Sequence, residues 1–214
     1  MNEYRVSGSR PPQDRLVAAH ADPCAWKSLS PVLRGYGVTL REAECQDALS
    51  LFTILSHPQI APAVVPTLHS PADLAARIES GARDRRDGRG MWLTVISGSG
   101  VVAGVFRVQE IEPEFGSAEW EFAVAHEQWG AGLFYRAAPI LIDFVFDALG
   151  ARRLEARAAM PNARSRAALS KLGAVQEAVL RQSVRLDGVY YDQVLLTLFA
   201  DEWRARRDVI RKIH

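Results

Sequence analysis

The 214-residue sequence predicts an α/β (α+β) domain: a mixed, mostly antiparallel central sheet with helices on both faces. Three observations predict it. Strand-like alternation and helical stripes succeed one another as βααββ, then βαβα, then ββ. Two pairs of strand patterns are joined by turn signals, Ser97-Gly98-Ser99-Gly100 and Asp187-Gly188. One strand, Ala118 to Val124, passes through a glycine-bearing loop into a long apolar helix.

Residues 1–33 carry Ser, Gly and the breakers Pro11, Pro12, Pro23 and Pro31, and read as an N-terminal extension with at most a short helix over Asp14 to Ala21. The domain proper is expected over 34–203, followed by a basic helical tail over 204–214. Tyr36 to Arg41 alternates and is β-branched, a strand. Glu42 to Leu55 carries a helical stripe of Ala48, Leu51, Phe52 and Leu55. Pro58, Pro62 and Pro66 then keep the chain irregular. Ser70-Pro71-Ala72-Asp73 is a helix start, with an N-cap serine, proline at the first helical position and an acid in the first turn. That helix is expected to run to Asp87, where Gly88 and Gly90 stop it.

Strands follow over Met91 to Ile96, Val101 to Ile111 and Ala118 to Val124. The loop Ala125 to Gly130 leads into a helix through Ala148, closed by Gly150. Arg153 to Ala158 reads as a strand and Asn162 to Leu172 as a short helix ended by Gly173. Val175 to Leu186 and Tyr190 to Phe199 are the last strands, and Asp201 opens a basic C-terminal helix.

The formal charge of +1 gives no global argument for nucleic acid or an anionic membrane. Two cysteines, Cys24 and Cys45, are too few for a disulfide framework or a thiolate metal site. Met1 to Arg10 is polar, and no run of about 18 apolar residues occurs. A reducing cytoplasm is the simplest expected home. His126-Glu127 lacks a second histidine at zinc-motif spacing, so no metal is expected. Arg83 to Arg89 reads as a solvated helix end, and Arg204, Arg206, Arg207, Arg211 and Lys212 as a solvated terminal helix.

The chemistry concentrates in Glu119 to Phe134. A loop at a helix N-terminus offers unpaired amides and the positive end of the helix dipole, and Gly130 and Gly132 let that backbone approach a ligand. The ligand such a mouth favours is a phosphate or pyrophosphate; a tight strand-to-helix turn without a ligand is the alternative. No Gly-x-Gly-x-x-Gly and no P-loop lysine is present. Downstream, Asn162 can cap a short helix with Ser165 one turn in, and capping alone would explain both.

Together these segments resemble the GNAT acetyltransferase superfamily, in particular the branch that includes acetyltransferases of ribosomal-protein N-termini. The residues that carry the resemblance are Glu119 and Val124, then Trp129-Gly130-Ala131-Gly132 opening the helix. They continue with Asn162, Ser165, Leu169, Lys171, Leu172 and Gly173, and with Asp187-Gly188 and Asp192. The likeness covers roughly residues 35 to 203. The sequence departs from that pattern at Ala131, at Phe134 where a small residue is usual, at His126 where proline is frequent, and at Ala174. A ring at 134 accommodated by strain would cost about 1–3 kcal/mol.

The resemblance implies acetyl-CoA (coenzyme A) as co-substrate, without a metal. It implies a cofactor site of Val124, His126, Trp129, Gly130, Ala131, Gly132, Leu133, Phe134, Asn162 and Lys171. The pantetheine arm would pair with the backbone near Val124, the amides of 130–134 would hold the pyrophosphate, and an amide at Ala123 or Val124 would polarise the thioester carbonyl. Glu119 is the candidate base, with Glu121 in reserve on the same sheet face, and Ser165 the candidate acid for the departing thiolate. Each has a plainer alternative, a solvated strand carboxylate or a capping hydroxyl. The expected acceptor is a primary amine, on a small molecule or a protein N-terminus, with a homodimer left open. A non-catalytic CoA-binding or partner-binding protein is the rival reading, and a phosphate-ligand binder unrelated to acyl transfer a third.

Overall fold

In the computed structural model, residues 25–61, 68–186 and 188–213 are described. The helix expected over Asp14 to Ala21, Pro62, Pro66 and Asp187 lie outside them.

Eight strands form one sheet: β1 (Val32–Gly35), β2 (Val38–Glu42), β3 (Gly90–Ile96), β4 (Val102–Glu110), β5 (Ser117–Val124), β6 (Arg153–Ala159), β7 (Val175–Leu186) and β8 (Val189–Phe199). Their order is β1-β2-β3-β4-β5-β6-β8-β7. Every neighbouring pair is antiparallel except β5 and β6, which run parallel. The described helices are α1 (Ala25–Ser28), α2 (Ala48–Leu55), α3 (Pro71–Arg86), α4 (Leu133–Asp143), α5 (Ala163–Lys171) and α6 (Ala200–Ile213).

Alternation along the strands sends successive side chains to opposite faces, and each face has its own core. Phe106, Val108, Trp120, Leu154, Ala156, Leu196 and Leu198 pack with Leu133, Ala137, Ile140 and Leu141 of α4 and Trp203 of α6. Val105 and Ala123 turn the other way, onto Leu51 and Leu55 of α2 and Leu74 and Ile78 of α3. The sheet is therefore covered from both sides, as the order of elements predicts.

Local signals placed most boundaries. Ser70 Oγ accepts from the Asp73 amide at 3.1 Å and Pro71 opens α3. Asn162 caps α5, and Gly173, at φ 94°, ends it. The turn between β3 and β4 closes through Ser97 N to Val101 O at 2.9 Å.

Four boundaries differ from expectation. Tyr36 and Gly37, expected inside a strand, take φ values of 49° and 70° and form the tight turn between β1 and β2. β1 begins at Val32, and Trp26 is buried edge-on against Phe115, so packing reaches into the segment expected to be an extension. Glu42 to Asp47 is not helical: Glu42 ends β2, and a short 3-10 turn over Cys45–Asp47 precedes α2. The buried Asp47 carboxylate explains it, because it receives both Arg41 nitrogens at 2.7 Å, the Glu44 amide at 2.9 Å and the Thr94 hydroxyl at 3.0 Å. That network, mostly local caps plus the distant Thr94 hydroxyl, outweighs helix propensity.

Fourth, α6 runs unbroken from Ala200 to Ile213 across the boundary expected at 203 and 204. Buried Trp203 donates to Asp143 at 2.9 Å, while Arg204 and Arg207 pair with Asp147 at 3.0 and 2.8 Å. Those arginines form surface ion pairs, at 42% and 32% side-chain exposure, that tie α6 to Asp147. Arg85 departs from the solvated helix end: it is 6% exposed, pairs with Glu42 at 2.8 Å and donates to the Trp26 and Lys27 carbonyls. No described helix is long and apolar enough to cross a membrane.

Candidate active site

The parallel pairing of β5 and β6 covers only Ser117 with Arg153, Ala118 with Leu154 and Glu119 with Glu155. Beyond Glu119 the two strands separate, while β5 stays paired to β4 as far as Val124. A cleft of about 310 Å³ lies in this opening, between Glu119, Glu121 and Phe122 of β5, Arg157 and Ala158 of β6, and Asn162 and Ser165 at the start of α5.

The antiparallel pattern fixes which backbone groups meet that opening. Ala125 N bonds Ala103 O at 2.9 Å, and the register pairs Val105 with Ala123, Arg107 with Glu121 and Gln109 with Glu119. In this alternation residues 119, 121, 123 and 125 turn their amides and carbonyls to β4. Trp120, Phe122 and Val124 turn theirs to the open side. Of the two expected amide donors, Val124 faces the cleft side and Ala123 does not. The Val124 carbonyl accepts from Trp129 Nε1 at 3.0 Å.

After β5 the chain makes a short turn over His126–Gln128 and reaches Gly130 and Gly132, both at left-handed φ (80° and 75°). A Cβ at either glycine would meet nothing within 4 Å, so conformation, not crowding, calls for glycine here. The Ala131 amide is used inside the loop, on Gln128 O at 3.2 Å. Arg136 N to Gly132 O at 3.1 Å is the first bond of α4, so the Leu133 and Phe134 amides precede the helical ladder. Behind the loop, His126 stacks on His57 at 4.5 Å between ring centroids.

Phe134 turns away from the glycines. Its ring lies 4.6 Å from Phe122, 6.2 Å from Trp120 and 6.4 Å from Phe106, in an aromatic cluster between α4 and β5.

Asn162 Oδ1 accepts from the Ser165 amide at 3.0 Å, which uses the side-chain oxygen as a cap and leaves its NH2 group as the donor. Ser165 lines the cleft with it. Arg164 lies 4.1 Å over the Trp129 ring, tying the start of α5 to the glycine loop. Lys171 is exposed at the far end of α5, 5.7 Å over the Tyr135 ring, and is not part of the cleft lining.

Glu119 is the half-buried acid of the cleft. Gln109 Nε2 reaches Oε2 at 3.3 Å and Arg157 Nε reaches Oε1 at 3.4 Å. Burial raises its carboxyl above the ordinary carboxylate range; Arg157 and Arg107 pull it down, and Glu121 and Glu155 push it up again. Glu121 shares the sheet face but is more exposed and paired to Arg107 at 3.2 Å. Gln109, Arg157 and Gln193 line the cleft without having stood out in the sequence. No local pattern marks them. Among the described residues no group of three or more His, Cys, Asp or Glu could hold a metal.

Residues 38–175 match the model of the acetyltransferase (GNAT) domain. The chain is 27% identical over 108 residues to the putative ribosomal N-acetyltransferase YdaF of Bacillus subtilis (strain 168), covering 50% of this chain and 59% of that protein, under two thirds of its length. It is 25% identical over 170 residues to the uncharacterized N-acetyltransferase p20 of Bacillus licheniformis, covering 78% of this chain and 94% of that one. Its fold resembles Mycobacterium smegmatis RimJ in complex with CoA-disulfide, with a TM-score of 0.71 and 23% identity over 81% of this chain and 88% of that chain.

Proposed function

Because this chain belongs to the acetyltransferase (GNAT) family, we propose that it is an N-acetyltransferase that moves an acetyl group from acetyl-CoA to a primary amine, with a protein N-terminus as the first acceptor class to test. The observation that carries this reading is the opening between β5 and β6, with Glu119 on one wall and Asn162 and Ser165 on the other. The name of the Bacillus subtilis relative, and the CoA-disulfide bound to the structural neighbour, support the acceptor class and the carrier.

The residues present fit such a carrier. The groups of Trp120, Phe122 and Val124 that face away from β4 form a strand edge along which an extended amide-bearing arm can pair. Since Trp129 occupies the Val124 carbonyl, Val124 contributes its amide, aimed at a thioester oxygen. The Asn162 NH2 group donates to the arm. Gly130, Gly132 and the leading amides of Leu133 and Phe134 hold diphosphate oxygens at the positive end of α4. His126 and Trp129 back the loop, Ala131 shapes it through its bond to Gln128, and Lys171 provides a cation at the outer rim.

When bound, the thioester supplies an activated acetyl carbonyl. An α-amino group titrates near 8, so a share of the acceptor arrives as ammonium at neutral pH. Glu119, directly or through a water, takes that proton and frees the lone pair for attack. As the C–N bond forms and the C–S bond breaks, Ser165 would give its proton to the departing thiolate and regain one from the attacking nitrogen, which must shed a proton to become the amide. A carboxyl held above its ordinary range suits this work, because its proton affinity moves towards the operating pH.

Titration calorimetry with acetyl-CoA, followed by thiol release over alanine- and serine-started peptides and small amines, tests the reading. Saturable CoA binding with turnover on peptides is expected. No CoA binding ends the proposal, and turnover on small amines alone removes the protein N-terminus from it.

A further inference from the structure

We propose that Arg157 is a positioning residue for Glu119, an ion-pair partner from the opposite strand that keeps this carboxylate ionised at the cleft wall and sets the pH range over which it accepts a proton. The inference rests on the reading of Glu119 as the base.

The geometry is specific to this place in the sheet. Glu119 is the last residue of β5 paired to β6, opposite Glu155. Arg157 lies two residues beyond Glu155, so its side chain leaves β6 on the same face, where the strands have begun to separate. It spans the opening to put Nε 3.4 Å from Glu119 Oε1, while Gln109 holds Oε2 from β4 at 3.3 Å. The carboxylate is thus gripped once from each neighbouring strand, one oxygen per side.

The surrounding charges explain why the partner matters. Three carboxylates crowd this face, each paired to a guanidinium: Glu121 with Arg107 at 3.2 Å, Glu119 with Arg157 at 3.4 Å, and Glu155 at 2.6 Å with Arg153, which Glu177 shares at 2.6 Å. Glu119 is as shielded from water as Glu155, at 13% side-chain exposure each, against 43% for Glu121. Removing Arg157 leaves it beside Glu121 and Glu155, with Arg107, already paired to Glu121, as the remaining cation that favours its ionised form. A guanidinium does not titrate in the working range, so Arg157 biases the proton on Glu119 without competing for it.

The test follows the isotope-labelled Glu119 carboxyl by NMR against pH, its resonance assigned by loss in Glu119→Gln. Wild type, Arg157→Gln and Arg157→Lys are compared as full chains. In Arg157→Gln the midpoint is expected to rise by about one pH unit, the lower end of what an adjacent opposite charge imposes. Arg157→Lys should stay near wild type. Arg157 is nearly half exposed, so both variants are expected to fold, and melting temperature verifies it. An unmoved midpoint in Arg157→Gln overturns the inference. The acidic limb of kcat/KM, measured with acetyl-CoA and an alanine-started peptide, should shift with the resonance. If the resonance moves and the limb does not, the assignment of Glu119 as base fails and the electrostatic pairing stands.

Discussion

The indole of Trp129 donates to the carbonyl of Val124 at 3.0 Å, joining the glycine loop to the end of the strand that precedes it. The same ring carries Arg164 on its face at 4.1 Å, so one side chain connects β5, the loop and α5. Trp129→Phe keeps the ring and removes the donor. Loss of one hydrogen bond of about 1 kcal/mol should weaken acetyl-CoA binding by roughly fivefold. Trp129→Ala also removes the platform for Arg164 and should weaken it further. Calorimetry on both variants measures the two steps; equal affinity in wild type and Trp129→Ala would show that the loop is held by other means.

Glu119→Gln should lower kcat by about a hundredfold or more while leaving acetyl-CoA affinity within twofold, as removal of a proton acceptor does. Its effect on stability has the opposite sign. The folded carboxyl lies above its ordinary value, chiefly through burial, so the folded state binds more protons than the unfolded chain between the two values. Wild-type stability therefore falls as pH rises through that window. Chemical denaturation should find Glu119→Gln at least as stable as wild type at pH 7, with no such advantage below the ordinary glutamate range.

Asp47 titrates the other way. Burial pushes its carboxyl up, but the Arg41 fork, the Glu44 amide and the Thr94 hydroxyl together bring it below the ordinary value. Stability contributed by this group is present above the unfolded aspartate value and is lost as pH falls through the depressed folded value. Asp47→Asn leaves Arg41 without its partner in a part-buried site, and about 3 kcal/mol of destabilisation is expected. Urea titrations at pH 7 and below pH 3 should show the gap from wild type narrowing in acid.

Trp203 is 2% exposed and its indole nitrogen meets Asp143. Trp203→Ala should cost about 3–5 kcal/mol through the cavity it leaves, with CoA affinity unchanged wherever the variant stays folded. A melting curve indistinguishable from wild type would show that α6 contributes little to the fold.

Much of the architecture was legible in the sequence because the signals are local. Ser70 and Asn162 cap the helices they were expected to cap, and Gly173 ends the one it follows. The glycine loop stands where Trp129-Gly130-Ala131-Gly132 predicts it. Misreadings fell where a distant partner outweighed the local pattern. Glu42 sits in the segment expected to be helical, yet Arg85, far along the chain, claims its carboxylate. Tyr36 has a strand former's side chain but occupies a left-handed turn position that the pairing of β1 with β2 imposes. Arg85 looks like a surface charge in a linear reading because its acceptors come from other elements.

The sequence by itself determined the order of elements from β2 onward, the glycine loop ahead of α4 and the positions of Glu119, Asn162 and Ser165, since capping, turn chemistry and side-chain periodicity act between near neighbours. Only the tertiary structure decided that β5 and β6 separate beyond Glu119, that Val124 rather than Ala123 offers its amide to the opening, that Phe134 joins the aromatic cluster, and that Arg157 and Gln109 grip the buried carboxylate. These outcomes depend on where strands stop pairing and which way packed side chains face. Both are properties of contacts between segments far apart in the chain.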